Sequence, residues 1–184
     1  MKTIAYFKNR KDSNYLLARM FLLVLLIVTA SCSKDEDEEV PTPDPDAQYR
    51  VELVKIRATD ISGEGNDALE IYGEIDASLN IGTTSDSREM WSADQANNIS
   101  VTENDSQIIG TVTFTVGPDN VNSASIVVAG DLLEFDGGDF VEDMGEESTT
   151  ISLSSISGAQ EFQLTFSNGD GDQVVELTYR VSKL

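Results

Sequence analysis

Histidine is absent from this 184-residue chain, and cysteine occurs once. The first absence removes the commonest general base, the commonest zinc ligand and every Ser-His or Cys-His nucleophile pair. The second excludes an internal disulfide and a thiolate metal cluster. Positive charge is scarce: 12 Lys and Arg stand against 33 Asp and Glu, a net charge of -21. From Cys32 onward seven basic residues face 32 acids, for a net of -25. Such a surface repels phosphate backbones, so nucleic acid is not expected as a partner. Long apolar runs are also missing. Residues 20–30, MFLLVLLIVTA, are uncharged but shorter than the roughly 20 residues that span a bilayer.

What is present begins with that run. Its length is that of a signal-peptide core, and basic residues precede it. Thr29-Ala30-Ser31-Cys32 follows, and then Ser33-Lys34-Asp35-Glu36-Asp37. The first segment resembles the lipoprotein box of bacterial lipoproteins, with Thr29 where Leu is usual and Ser31 where Gly or Ala is usual. The second resembles the acidic export signal of surface lipoproteins of Bacteroidota. The resemblance implies that Cys32 is acylated and becomes the new N-terminus. It also implies that the chain is held in the outer membrane facing the medium, with the bilayer as a partner through Cys32. Two or more acyl chains suffice for stable anchoring where one does not. Residues 40–48, VPTPDPDAQ, hold three of the four prolines and read as an extended tether. The expected organisation is a signal peptide over 1–31, a lipidated acidic and Pro-rich tether over 32–48, and one domain over 49–184.

That domain reads as β throughout. In LEIYGEIDA, residues 69–77, apolar or small residues take the odd positions, the mark of a strand with one face on a core and one in water. Ile108, Val112, Phe114 and Val116 fall on one side of 108–116. About eight strands are expected: 50–59, 68–78, 88–93, 108–117, 124–135, 148–155, 160–167 and 173–182, with 98–103 as a further short one. The pattern predicts an all-β, antiparallel two-sheet sandwich, with a small barrel as the alternative. One hairpin can be registered outright. Matching Phe166 with Val175, Leu164 with Leu177 and Phe162 with Tyr179 aligns two apolar faces. It leaves Asp170-Gly171 as a two-residue type I′ turn.

If consecutive strands alternate in direction, the connections 60–67, 94–107, 136–147 and 168–172 share one end. They contain 14 acids and no Lys or Arg, whereas the opposite connections contain only Asp86 and Asp119. Carboxylates so concentrated either stay solvated or converge on a hard cation, and calcium takes six to eight oxygens. The candidate ligands are Asp60, Asp67, Asp136, Asp139 and Asp172. Asn168-Gly-Asp170-Gly-Asp172 resembles the start of a helix-loop-helix calcium loop, but Gln173 and Tyr179 replace its Gly and Glu; the plainer reading is the hairpin turn. Trp91, the sole Trp, reads as core packing before a glycan platform.

The function expected is a surface-anchored binding module, not an enzyme, whose acidic loops, ordered by calcium, contact an extracellular glycan or protein. An accessory subunit of an envelope complex is the alternative. A carboxylate-dependent glycan hydrolase ranks last, because so small a domain with few aromatics makes a poor sugar cleft.

Overall fold

The computed structural model describes residues 44–62, 67–137 and 140–184. The described residues all belong to one unit, Asp44–Leu184. Cys32 and the acidic residues after it therefore lie outside the described residues.

Among the described residues nine strands build this unit: β1 (Ala47–Ile61), β2 (Leu69–Ile81), β3 (Thr84–Ala93), β4 (Ile99–Val101), β5 (Thr111–Val116), β6 (Ala124–Phe135), β7 (Val141–Ser152), β8 (Ala159–Ser167) and β9 (Gln173–Lys183). They form two sheets. Sheet A has the order β5-β1-β9-β8, and sheet B the order β3-β2-β6-β7, with β4 also on β2. Every strand pair is antiparallel. The sheets do not close on each other, so the fold is the two-sheet sandwich and the barrel alternative is set aside.

The core is the sum of the period-two patterns. Val51, Leu53, Val175, Leu177, Tyr179, Phe114, Leu164 and Phe166 line it from sheet A. Leu69, Ile71, Ile75, Ala77, Ile126, Val128 and Leu132 line it from sheet B. Trp91 is half-buried and packs against this core, as its sequence context suggested. Burying each large aliphatic or aromatic side chain contributes about 1.5–3 kcal/mol.

Several boundaries differ from the sequence reading, each for a physical reason. β3 and β4 pair with successive stretches of β2, residues 73–81 and 69–71. They are one edge strand interrupted by the 3-10 turn Gln95–Asn97. Asp94 caps that turn, its Oδ1 accepting from the Asn97 amide at 2.9 Å. Since the two pieces run the same way, the ninth strand does not alter the alternation of ends. β7 begins at Val141 rather than 148, so Glu142, Asp143, Glu146 and Glu147 belong to a strand and not to a loop.

The β8–β9 register is the one expected: Phe162 opposite Tyr179, Leu164 opposite Leu177, Phe166 opposite Val175. The turn is not type I′. That geometry needs positive φ at Asp170, and among the described residues only glycines have positive φ. Instead, Gly171 alone takes the left-handed conformation, φ 73, and its amide donates to the Asn168 carbonyl at 3.0 Å. Asn168 organises the wider loop: its Oδ1 accepts from the amides of Gly171, Asp172 and Gln173. The segment is thus a side-chain-closed hairpin turn.

Candidate functional site

The pairings place the acid-rich connections at one pole. Ile61, at the end of β1, lies opposite Gln173, where the β8–β9 turn re-enters sheet A. In sheet B, Leu69 opposite Val101 and Phe135 opposite Val141 put the 136–140 connection beside the start of β2 and the end of β4. Asn168 ties the sheets together there, its Nδ2 donating to Glu142 Oε2 at 2.9 Å.

The predicted ligands occupy that pole singly. Asp60 closes β1, and its Oδ1 accepts from the Ser62 amide at 2.9 Å and from the Ser62 hydroxyl at 2.5 Å. Those bonds hold its carboxyl below the usual carboxylate range. Asp172 accepts from Asn168 Nδ2 at 2.8 Å. Asp67 and Asp136 are exposed, beside β2 and β6. Asp139 lies outside the described residues. Among the described residues no three acidic side chains stand close enough to hold a metal ion.

Two members of the expected acidic loops lie elsewhere. Asp94 follows the Gly73–Ala93 pair, at the turn that interrupts the edge strand. Asp105 lies on the β4–β5 connection, which runs along β1 through the Ile56–Ser106 bridge. There Lys55 Nζ meets Asp105 Oδ2 at 2.8 Å and pulls its carboxyl below the ordinary range.

Among the described residues, a second acidic surface is the outer face of sheet B, away from the core. Glu74 on β2 lies opposite Asp131 on β6, and Asp131 lies opposite Glu146 on β7. One step along, Asp76 lies opposite Glu89 on β3. Two adjoining depressions share Glu74 and Asp131. One, of about 430 Å³, adds Asp76, Glu146 and Glu147. The other, of about 750 Å³, adds Glu89 and Asp94. Among the described residues no Lys or Arg lines either. Like charges directly opposite one another destabilise a sheet, so this face carries a cost. It attracts cations and repels anions.

Five of the six described cations are paired elsewhere. Arg50 pairs with Glu52, Lys55 with Asp105, Arg57 with Glu176, Arg88 with Asp86 and Arg180 with Glu161. Sequence reasoning placed Glu74 and Asp76 on a solvent face but could not see the row they form, because that depends on which strands flank β2. Glu134 was missed as well. It is wholly buried near the acidic pole, its Oε1 accepting from the Glu70 amide at 3.3 Å.

No family model matches the chain, and no curated protein matches it. Several solved structures are similar in backbone course. One is a C2 domain of plant Extended Synaptotagmin 1, 14% identical over 76% of this chain and 95% of that one, TM-score 0.38. Another is human GIVD cytosolic phospholipase A2, 10% identical over 77% of this chain but only 17% of that one, TM-score 0.39. A third is CC2D1B, 9% identical over 82% of this chain and 57% of that one, TM-score 0.46. At these values the likeness extends to backbone course and no further.

Proposed function

We propose that this chain is an outer-membrane lipoprotein whose β-sandwich is an extracellular binding module, presenting acids to a positively charged glycan-associated or protein partner. One observation carries this reading: the path of β1 through the domain. β1 starts at Ala47, opposite Val116 and beside the 117–123 connection. It runs 15 residues, about 50 Å at the rise of an extended strand, to the acidic pole. An anchor at Cys32 is therefore joined to the domain at the end remote from the acidic connections. The lipoprotein box, the acidic signal and the Pro-rich tether support the same assignment, which is one of binding and not of catalysis.

The test is metabolic labelling of the chain in a Bacteroidota host with an alkynyl fatty acid, followed by protease treatment of intact cells. Wild type takes up label and is digested; Cys32→Ala takes up none. An unlabelled wild type overturns the anchor, and a labelled but fully protected one overturns the surface assignment.

Calcium is the finer part of the reading. A specific site raises stability by about 2.7 kcal/mol at 100 times its Kd, whereas screening of the acidic face alone gives equal shifts with calcium and magnesium. Equal shifts remove calcium from the proposal and leave the binding module standing.

A further inference from the structure

Both sheets are open, so the sandwich has edges that could pair with another chain. The edges are unequally protected. β7 carries Glu142, Asp143, Glu146 and Glu147, and its pairing with β6 shifts register beside Gly145. β3 carries Asp86, Arg88 and Glu89, and β8 carries Glu161. β4 is only three residues long. β5 reads TVTFTV. It has no charge, no Pro and no Gly, and it is rich in β-branched residues, the composition that most readily adds a strand.

The free side of β5 follows from the ladder. Leu53 donates its amide to the Gly110 carbonyl at 2.9 Å, and Val51 lies opposite Val112, Tyr49 opposite Phe114. Even-numbered residues therefore bond to β1, and the backbone groups of Thr111, Thr113 and Thr115 face outward. One side chain reaches that edge from the other sheet. Arg88 on β3 donates from Nη1 to the Thr113 carbonyl at 2.6 Å. Its Nη2 meets Asp86 Oδ2 at 2.7 Å, and its guanidinium lies 4.7 Å from the centre of the Phe114 ring. Asp86 thus aims the planar fork and Phe114 supports it, while one tooth occupies the central carbonyl of the exposed edge.

We propose that Arg88 is a strap across the open side of the sandwich that guards β5 against antiparallel pairing with the β5 of a second copy of this chain. At a crowded membrane surface such pairing would join copies through their least charged strands. The guard acts through the guanidinium fork, since a lysine ammonium is a point charge without its fixed geometry.

The experiment is sedimentation velocity on the full chain in detergent over a concentration series, with Arg88→Met, Arg88→Lys and Arg88→Met/Thr113→Pro. Proline at an outward-facing edge position removes the amide that a new strand would need and is tolerated there. Arg88→Met is expected to dimerise at concentrations roughly tenfold below wild type, as loss of one charge-assisted hydrogen bond implies. Arg88→Lys should fall between them, and the double variant should return to the wild-type state. In the Arg88→Met dimer the Thr113 amide should gain protection from hydrogen exchange. The proposal fails if folded Arg88→Lys, which keeps the charge and the stem, is as monomeric as wild type. It also fails if Arg88→Met associates but Thr113→Pro does not reverse it.

Discussion

Sheet A sets four of its five described cations beside acids, whereas the outer face of sheet B sets acids opposite acids. Arg57 on β1 meets Glu176 on β9 at 2.9 Å, and Lys55 on β1 meets Asp105 of the β4–β5 connection at 2.8 Å. Five of the six described Lys and Arg lie in that sheet. In sheet B the single cation, Arg88, turns to the side, and Glu74, Asp131 and Glu146 stand in a row across three strands. Each opposed pair costs roughly 0.2–1 kcal/mol. Burial of Ile71, Ile75, Ile126 and Leu132 on the other face of the same strands contributes about 1.5–3 kcal/mol apiece. The hidden face therefore wins easily, and the exposed face is free to carry a charge pattern that does not serve folding. A surface under no demand but solubility would intersperse the signs, as sheet A does.

This contrast can be broken in the backbone, on the acidic face and in sheet A, in descending order of effect. Gly73 on β2 leaves no room for a side chain beside β6: a Cβ there would sit 2.1 Å from the Asp131 carbonyl oxygen, at φ 130. Gly73→Ala should lose about 3 kcal/mol or more by denaturant unfolding, from overpacking and backbone strain together. Gly82→Ala, also at positive φ but with open space around it, should lose about 1 kcal/mol. Equal losses would mean that close strand approach contributes nothing at Gly73.

Removing the charge row acts in the opposite direction. Glu74→Gln/Asp131→Asn/Glu146→Gln relieves two opposed pairs and should gain about 1 kcal/mol in low salt. The gain should largely vanish in 1 M salt, where the Debye length is about 3 Å. A triple variant less stable than wild type in low salt would show that the row is compensated after all.

The smallest effect lies in sheet A. Lys55→Met removes the partner that depresses Asp105, so the Asp105 carboxyl should titrate upward, toward the ordinary value of about 3.9. A carboxyl depressed in the folded state contributes stability that is present above its unfolded pKa and lost as pH falls through the folded value. That portion of the acid limb should disappear in Lys55→Met. Carbon-detected NMR titration of Asp105 reads the shift directly, and an unmoved Asp105 would assign its depression to another group.

The charge pattern also explains what was legible in advance and what was not. The β8–β9 register was readable because both strands alternate cleanly and a one-residue slip would put Phe162, Leu164 and Phe166 in water. The start of β7 was not. An edge strand exposes most of its residues, so VEDMGEES carries no alternation beyond the single buried Met144. Misreading that stretch as loop moved four carboxylates from a sheet to the acidic pole. The alternation of strand directions held, and Asp60, Asp67, Asp136 and Asp172 do share a pole. Alternation brings loops to one end, but it does not bring their side chains to one point.

By itself, then, the sequence determined the class of fold and the directions of the strands. Each of these is written in local patterns of polarity, whose period or length is decided within a dozen residues. Tertiary structure alone decided that β2 lies between β3 and β6, that the carboxylates of three strands fall into one row, and that Arg88 reaches an edge 25 residues away in the chain. Neighbours in a sheet are chosen by packing among all strands at once, and no single stretch of chain carries that choice.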